Sequence, residues 1–174
     1  MANYAKFIST DYLYKNTIID DNVDADLLNK FIVESQDINI QQVLGNALYQ
    51  KLMDDIVTST TPSGSYLTLL TNFIQKCQAE WVVYHALPFI NYRLTNKSVA
   101  KKDSEYSDAS DLDEVKYLRQ SVRDKAEFYS KMLSDYLCKN ESLFPEYTSD
   151  NDHTIRPSRN NYFSGIYLGK SNRK

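Results

Sequence analysis

Apolar residues recur at three- and four-residue intervals through most of this chain. Between Asp24 and Ile56 they fall at Leu27, Leu28, Phe31 and Ile32, then at Ile40, Val43, Leu44, Ala47, Leu48, Leu52 and Ile56. That spacing lines one face of a helix, so the stretch predicts two helices packed on a core. Gly45 interrupts the second run. In an exposed helix interior it would cost about 1 kcal/mol against alanine. Two uses would justify it: it ends a short helix at Leu44 with Asn46 capping the next, or it admits another backbone at close range.

The rest of the chain divides on the same criterion. The first 20 residues predict an irregular lead-in with a short helical turn after Ser9 and Thr10. Asp20, Asp21, Asp24 and Asp26 lie ahead of the first long helix, where its N-terminus favours negative charge. A calcium loop would need a glycine at its sixth position, and DNVDAD has none. VTSTTPSGSY is a turn-rich connector. From Ser65 a second pattern (Leu67, Leu70, Phe73, Ile74, Cys77, Trp81, Tyr84) runs on to Leu94, with a kink or break expected near Ala86–Pro88 because proline lacks the amide donor. Thr95–Ala109 reads as a long polar loop. A third helix is predicted from Ser110 to Lys139, with a stripe at Val115, Leu118, Val122, Ala126, Tyr129, Met132, Leu133, Tyr136 and Leu137 and a Glu127–Lys131 pair. LFPEY turns the chain, and after Thr148 the helical period is lost.

Certain words of the sequence carry more than their period. ESQDINIQQVLGNALYQKLMDDI resembles the DI-x-I-x-x-x-LG-x-x-LY-x-x-L segment of bacteriophage head-tail connector (adaptor) proteins, the rings that extend a capsid portal. LPFINYRLTNKSVAKK at 87–102, the acidic-capped helix to Lys139 and LFPEY at 143–147 are similar to the version found in crAss-like bacteriophages, so the likeness covers about residues 9–147. The resemblance implies an all-α structural subunit, a bundle of long helices in residues 1–147 with an extended C-terminal arm in 148–174. It further implies a homo-oligomeric ring of twelve copies on the portal protein, in contact with further neck or tail proteins and enclosing DNA without sequence-specific binding. Such a subunit resides in the virion neck after assembly in the host cytoplasm. A tail-completion protein, or a small regulator binding nucleic acid or protein, is the alternative.

Composition agrees with a helical domain. The 174 residues include only four glycines and four prolines, but fourteen tyrosines and seven phenylalanines; tyrosine pairs a large apolar face with a polar tip and is enriched at interfaces. Cys77 and Cys138 fall inside helical patterns and are expected to be buried free thiols in a reducing cytosol. No apolar run is long enough to span a bilayer, and MANYAKFISTDYLYK has no signal-peptide core. Charge is uneven: residues 1–152 sum to −8 and residues 153–174 to +5. An acidic body suits a channel along which DNA slides without sticking.

Catalytic motifs are lacking. No phosphate-binding glycine loop, GxSxG, HExxH or CxxC occurs. His85 reads as a core or interface histidine, and no cofactor or enzymatic activity is expected. The candidate site is instead the arm, where Ile155, Arg156, Arg159, Tyr162, Phe163, Ile166, Tyr167 and Leu168 offer cations and apolar side chains for docking on a partner. Burying the five large apolar groups at its end, Tyr162, Phe163, Ile166, Tyr167 and Leu168, would gain about 8–15 kcal/mol. Ordering some nine residues would cost about 9–18 kcal/mol. Folding back on one body is therefore marginal, and a seat on a neighbouring subunit or portal is the expectation.

Overall fold

Helix α6 (Gln75–Asn91) is the axis of the fold, packed by α2 (Ala25–Ser35) and by the antiparallel α7 (Leu112–Lys139). The computed structural model describes residues 4–58, 62–94, 99–101 and 112–148, and side chains within 4–58, 62–90 and 113–147. The remaining elements are α1 (Thr10–Asn16), a π turn (Gln36–Ile40), α3 (Gln41–Leu44), α4 (Asn46–Val57), α5 (Gly64–Leu69), a second π turn (Leu70–Ile74), a 3-10 turn (Glu141–Leu143) and α8 (Pro145–Thr148). The fold is an all-α bundle. Its one ribbon among the described residues, β1 (Tyr92–Leu94) antiparallel to β2 (Val99–Lys101), pairs Tyr92 with Lys101 and Leu94 with Val99. The helix predicted to reach Leu94 thus ends at Asn91, and part of the expected polar loop is strand.

Local chemistry sets the helix ends. Ser9 caps α1 by accepting the Tyr12 amide, and Asp24 caps α2 by accepting that of Asp26. Gly45 closes α3 and opens α4 at φ +75°, ψ +162°, a conformation essentially confined to glycine. Of the two uses expected for it, the helix joint is the one observed. Asn46 is the first residue of α4 rather than its cap, and its Oδ1 accepts from Gln41 Nε2 at 3.1 Å. The second long helix starts at Gly64, after Ser63, and is continuous to Asn91.

Ile32, Gln36, Ile40 and Leu44 are fully buried at four-residue steps, and so are Ile74, Gln78, Val82 and Ala86. In a regular α-helix each such step drifts about 40° round the axis. An i→i+5 turn takes up such drift, and the first row spans one, in which Gln41 N–H bonds Gln36 O. The second row begins at the last residue of another, in which Gln75 N–H bonds Leu70 O; its drift along α6 keeps it buried because both α2 and α7 pack on that helix.

Two apolar clusters result. One gathers α3, α4, the start of α6, the end of α7 and Phe144 and Tyr147 of the LFPEY turn. The other gathers Ile8, Leu13, Ile19, α2, the middle of α6 and Val122. The lead-in belongs to this core: Ala5, Phe7 and Ile8 are buried. Phe7 donates its amide to Gln36 Oε1 at 2.9 Å and accepts Gln75 Nε2 on its carbonyl at 2.8 Å. Pro88 does not break α6. It removes one bond, to the Tyr84 carbonyl, close to the helix end, while Val83, Ala86, Leu87 and Ile90 on either side pack into the second cluster. Cys77 is buried and free as expected. Cys138 is free but exposed, a correction to the buried position its helical pattern suggested.

Candidate interaction surface

The inner face of α7 is locked to α6, and this fixes what the outer face presents. Val122, Ala126, Leu133 and Leu137 are buried. Ser130 ties the two helices, accepting Trp81 Nε1 at 2.8 Å and lying 3.2 Å from Cys77 Sγ. Burial pushes the Cys77 thiol up to about 12, so it stays protonated. With this face turned inward, Tyr117 is left 76% exposed, Phe128 64% and Leu118 47%. The position of Leu118 corrects the buried stripe expected from spacing. It lies about 60° round the helix from Val115, where the inner face narrows to Val115 and Val122.

Behind the N-terminal half of this surface, on the side of α7 that faces α6, lies Arg119. Its guanidinium lies 4.3 Å over the Tyr84 ring, and its Nε is buried with no acceptor among the described residues. Stacking on the ring orients the planar group and leaves its terminal nitrogens for another acceptor. Lys116 pairs with Asp113 at 2.9 Å and Arg123 with Glu127 at 2.7 Å, the latter on the opposite side of Glu127 from the expected Lys131 partner. Behind Tyr84, His85 bonds Asn39 Oδ1 through Nε2 at 2.9 Å and faces Glu34 through Nδ1 at 3.7 Å. Burial lowers its pKa, Arg119 pushes the same way, and Glu34 opposes both. It is a partnered interior histidine.

The C-terminal half is a groove of about 430 Å³ lined by Phe73, Phe128, Lys131, Met132, Asp135, Tyr136 and Lys139. Phe73 and Tyr136 stack at 4.0 Å to form its floor. Beside it the chain turns: Phe144 packs on Tyr66 and Tyr136, and Tyr66 donates to Glu146 at 2.7 Å. Burial and the Glu146 carboxylate hold the Tyr66 hydroxyl up at about 12.

Exposed aromatics match the composition of interface hot spots. Nothing comparable supports metal chemistry, since among the described residues no group of three or more His, Cys, Asp or Glu is placed to hold an ion. Asp24 caps α2, and Asp20 accepts the Asn22 amide in a turn. No helix among the described residues is long and apolar enough to cross a membrane. The predicted docking residues Ile155, Arg156, Arg159, Tyr162, Phe163, Ile166, Tyr167 and Leu168 all lie outside the described residues. The buried stripe in the sequence does not reveal Tyr117, Arg119 and Phe128. The signal available was two aromatics on the polar side of an amphipathic helix.

Residues 40–157, well over half of the chain, match a family of unknown function (DUF6712), and the chain belongs to that family. No curated protein and no solved structure matches the chain.

Proposed function

We propose that this member of the family is a non-enzymatic structural subunit of a phage neck, a head-tail connector that assembles as a ring on the portal and continues the DNA channel. The observation that carries the reading is the outer face of α7, which sets Tyr117, Leu118 and Phe128 toward solvent on a helix otherwise fixed by its inner face. A helix of 28 residues spans about 42 Å, long enough for a strut along which neighbouring subunits pack.

The residues that carry the likeness to connectors have a structural use here. Asp37 accepts the Tyr49 hydroxyl at 2.9 Å. Gly45 forms the joint between those two residues, and Ile40, Leu44, Leu48 and Leu52 are buried around it. Such a motif builds a rigid body rather than a reactive site, which suits a structural subunit. Under this reading twelve copies form the ring, and the basic arm seats on portal or a neighbouring subunit. The acidic body lines or flanks a channel that DNA crosses without sequence-specific contacts.

Light scattering on the chain with and without the portal protein of the same phage tests the proposal. The expected result is a small species alone and a discrete large co-complex with portal at near-physiological salt. A chain that stays the same size in the presence of portal overturns the connector reading.

A further inference from the structure

We infer that two copies of this chain pair about a two-fold axis, each setting Ile18 and the aspartates after it into the α7 groove of the other. The inference goes beyond the connector reading and does not rest on it, because it concerns the chain without portal.

Ile18 is the most exposed aliphatic side chain among the described residues, at 71%. Its neighbours hold it there. Thr17 Oγ1 donates to the Leu13 carbonyl at 2.8 Å and accepts the Ile19 amide at 3.2 Å, and Ile19 is buried in the second cluster. In the turn that follows, the Val23 amide bonds the Asp20 carbonyl at 3.1 Å, and the Val23 carbonyl accepts the Tyr14 hydroxyl at 2.9 Å. Ile18 is therefore a preset knob on a braced turn, with little conformational freedom left to lose on docking. Asp20, Asp21 and Asp24 follow it, all exposed. Asp20 and Asp21 crowd one another, which holds the Asp21 carboxyl above its ordinary range. A cation brought by a partner relieves that crowding.

The α7 groove is the matching surface. The stacked Phe73–Tyr136 pair is its floor, with Phe128 and Met132 beside it, and its charged lining is Lys131 and Lys139 against the single Asp135. An aliphatic knob that carries carboxylates complements this lining in shape and in charge.

The placement of knob and groove on one molecule sets the symmetry. A smaller cavity of about 180 Å³ adjoins the groove, lined by Tyr12 and Asn16 of α1 together with Lys76 and Tyr129. Lys76 is three residues from Phe73, and Tyr129 three from Met132, so the two hollows follow one another along the α6–α7 seam. Ile18 stands two residues beyond Asn16, its Cα within about 7 Å. Knob and groove thus share one face. A head-to-tail array needs them on different sides of the subunit. A half-turn instead brings each knob over the other copy's groove, the self-complementary contact of a two-fold dimer. Every interaction is then made twice, and the exposed Phe128 is covered in the lone protein.

Disulfide trapping on the full-length chain without portal tests the pairing. In a Cys138→Ser background, where the remaining Cys77 is buried, Ile18→Cys is combined with Met132→Cys. The control combines Val57→Cys, on an exposed position of α4, with Met132→Cys. Under mild oxidation the first pair is expected to give a covalent dimer at least tenfold faster than the control, and to stop there because two links close it. Equal rates, an intrachain link, or a ladder of trimers and larger species overturns the inference. Sedimentation of the native chain gives the second readout, with a mass that rises from one chain toward two as concentration increases. Asp21→Lys is expected to weaken the pairing about tenfold, and Lys131→Glu with Lys139→Glu in the same chain to restore it. A native chain that stays monomeric at every concentration, or an Asp21→Lys chain that pairs as wild type does, also overturns it. Either failure leaves the portal co-complex to be judged separately.

Discussion

The carboxamides of Gln36 and Gln78 meet at 3.3 Å in the middle of the bundle, both fully buried, each from a row of apolar residues on its own helix. Gln36 holds the lead-in: its Oε1 accepts the Phe7 amide and its Nε2 donates to the Ala5 carbonyl, both at 2.9 Å. Gln78 donates to the Ile32 carbonyl at 3.0 Å, but its Oε1 has no partner among the described residues.

This asymmetry makes the two residues unequal in energy. Gln36→Met strands the Phe7 amide and the Ala5 carbonyl in the core, at about 1–3 kcal/mol for each orphan. Gln78→Met removes an already unsatisfied oxygen, and the Ile32 carbonyl keeps the Gln36 amide and the Ser35 hydroxyl. Urea unfolding is expected to show a loss of about 3 kcal/mol or more for Gln36→Met and about 1 kcal/mol for Gln78→Met. Equal losses would mean that the lead-in is not held through Gln36.

A backbone test separates the two glycines of positive φ among the described residues. Gly45 lies in a region closed to side chains, so Gly45→Ala should cost about 2–3 kcal/mol and Gly45→Val more. Gly64, at φ +57°, has no neighbouring atom within 4 Å of the place an alanine methyl would take, and substitution there should cost only about 1–2 kcal/mol. A change of a few tenths at Gly45, measured by chemical denaturation, would make the joint an ordinary exposed turn.

How far these features can be read from the residues follows from period. The apolar stripes of α2, α4, α6 and α7 are long, and their helices lie close to where the spacing puts them. α7 ends at Lys139, as its cation and the following Asn140 indicate. Tyr4–Ile8 has no period to read, because a short segment is held by side chains reaching from other helices. Gln36 and Gln78 look like polar-face residues; a π turn starting at Gln36 keeps that row on the core, and Gln78 is buried because α6 is covered on more than one side. Pro88 signals a break, but packing on both sides of it outweighs one lost hydrogen bond. The α7 surface is half legible: the stripe locates the buried side, but a period of apolar positions assigns no role to aromatics on the opposite face.

A pH dependence follows from His85. Burial and Arg119 lower its folded pKa, so the unfolded chain binds a proton there first, near the ordinary value of about 6.5. Its contribution to stability is complete above that value and is lost as pH falls toward the folded pKa. Between pH 7 and 5 the native chain should lose more stability than His85→Gln. Glu34→Gln should steepen the loss, because Glu34 favours the charged ring. Thermal melts across that range check both slopes, and parallel slopes for native chain and His85→Gln would remove His85 from the account.

The outer face of α7 gives the prediction that bears most directly on function. Tyr117 and Phe128 are largely exposed, so neither supports the fold through burial. Surface substitutions away from packed features change stability by about 0.5 kcal/mol or less. At an interface the same residues would be desolvated, and truncating or charging a buried aromatic anchor costs about 2 kcal/mol or more in binding. Tyr117→Glu and Phe128→Glu should therefore leave the melting temperature within a few degrees of wild type while weakening co-assembly with portal by tenfold or more. The contrasting variant is Lys116→Ala, whose exposed pair with Asp113 is worth little, and it should assemble normally. Sedimentation of each variant mixed with portal, alongside its melting curve, separates the two effects. If the glutamate variants assemble as tightly as wild type, α7 is not the contact helix and the ring must be held by another surface.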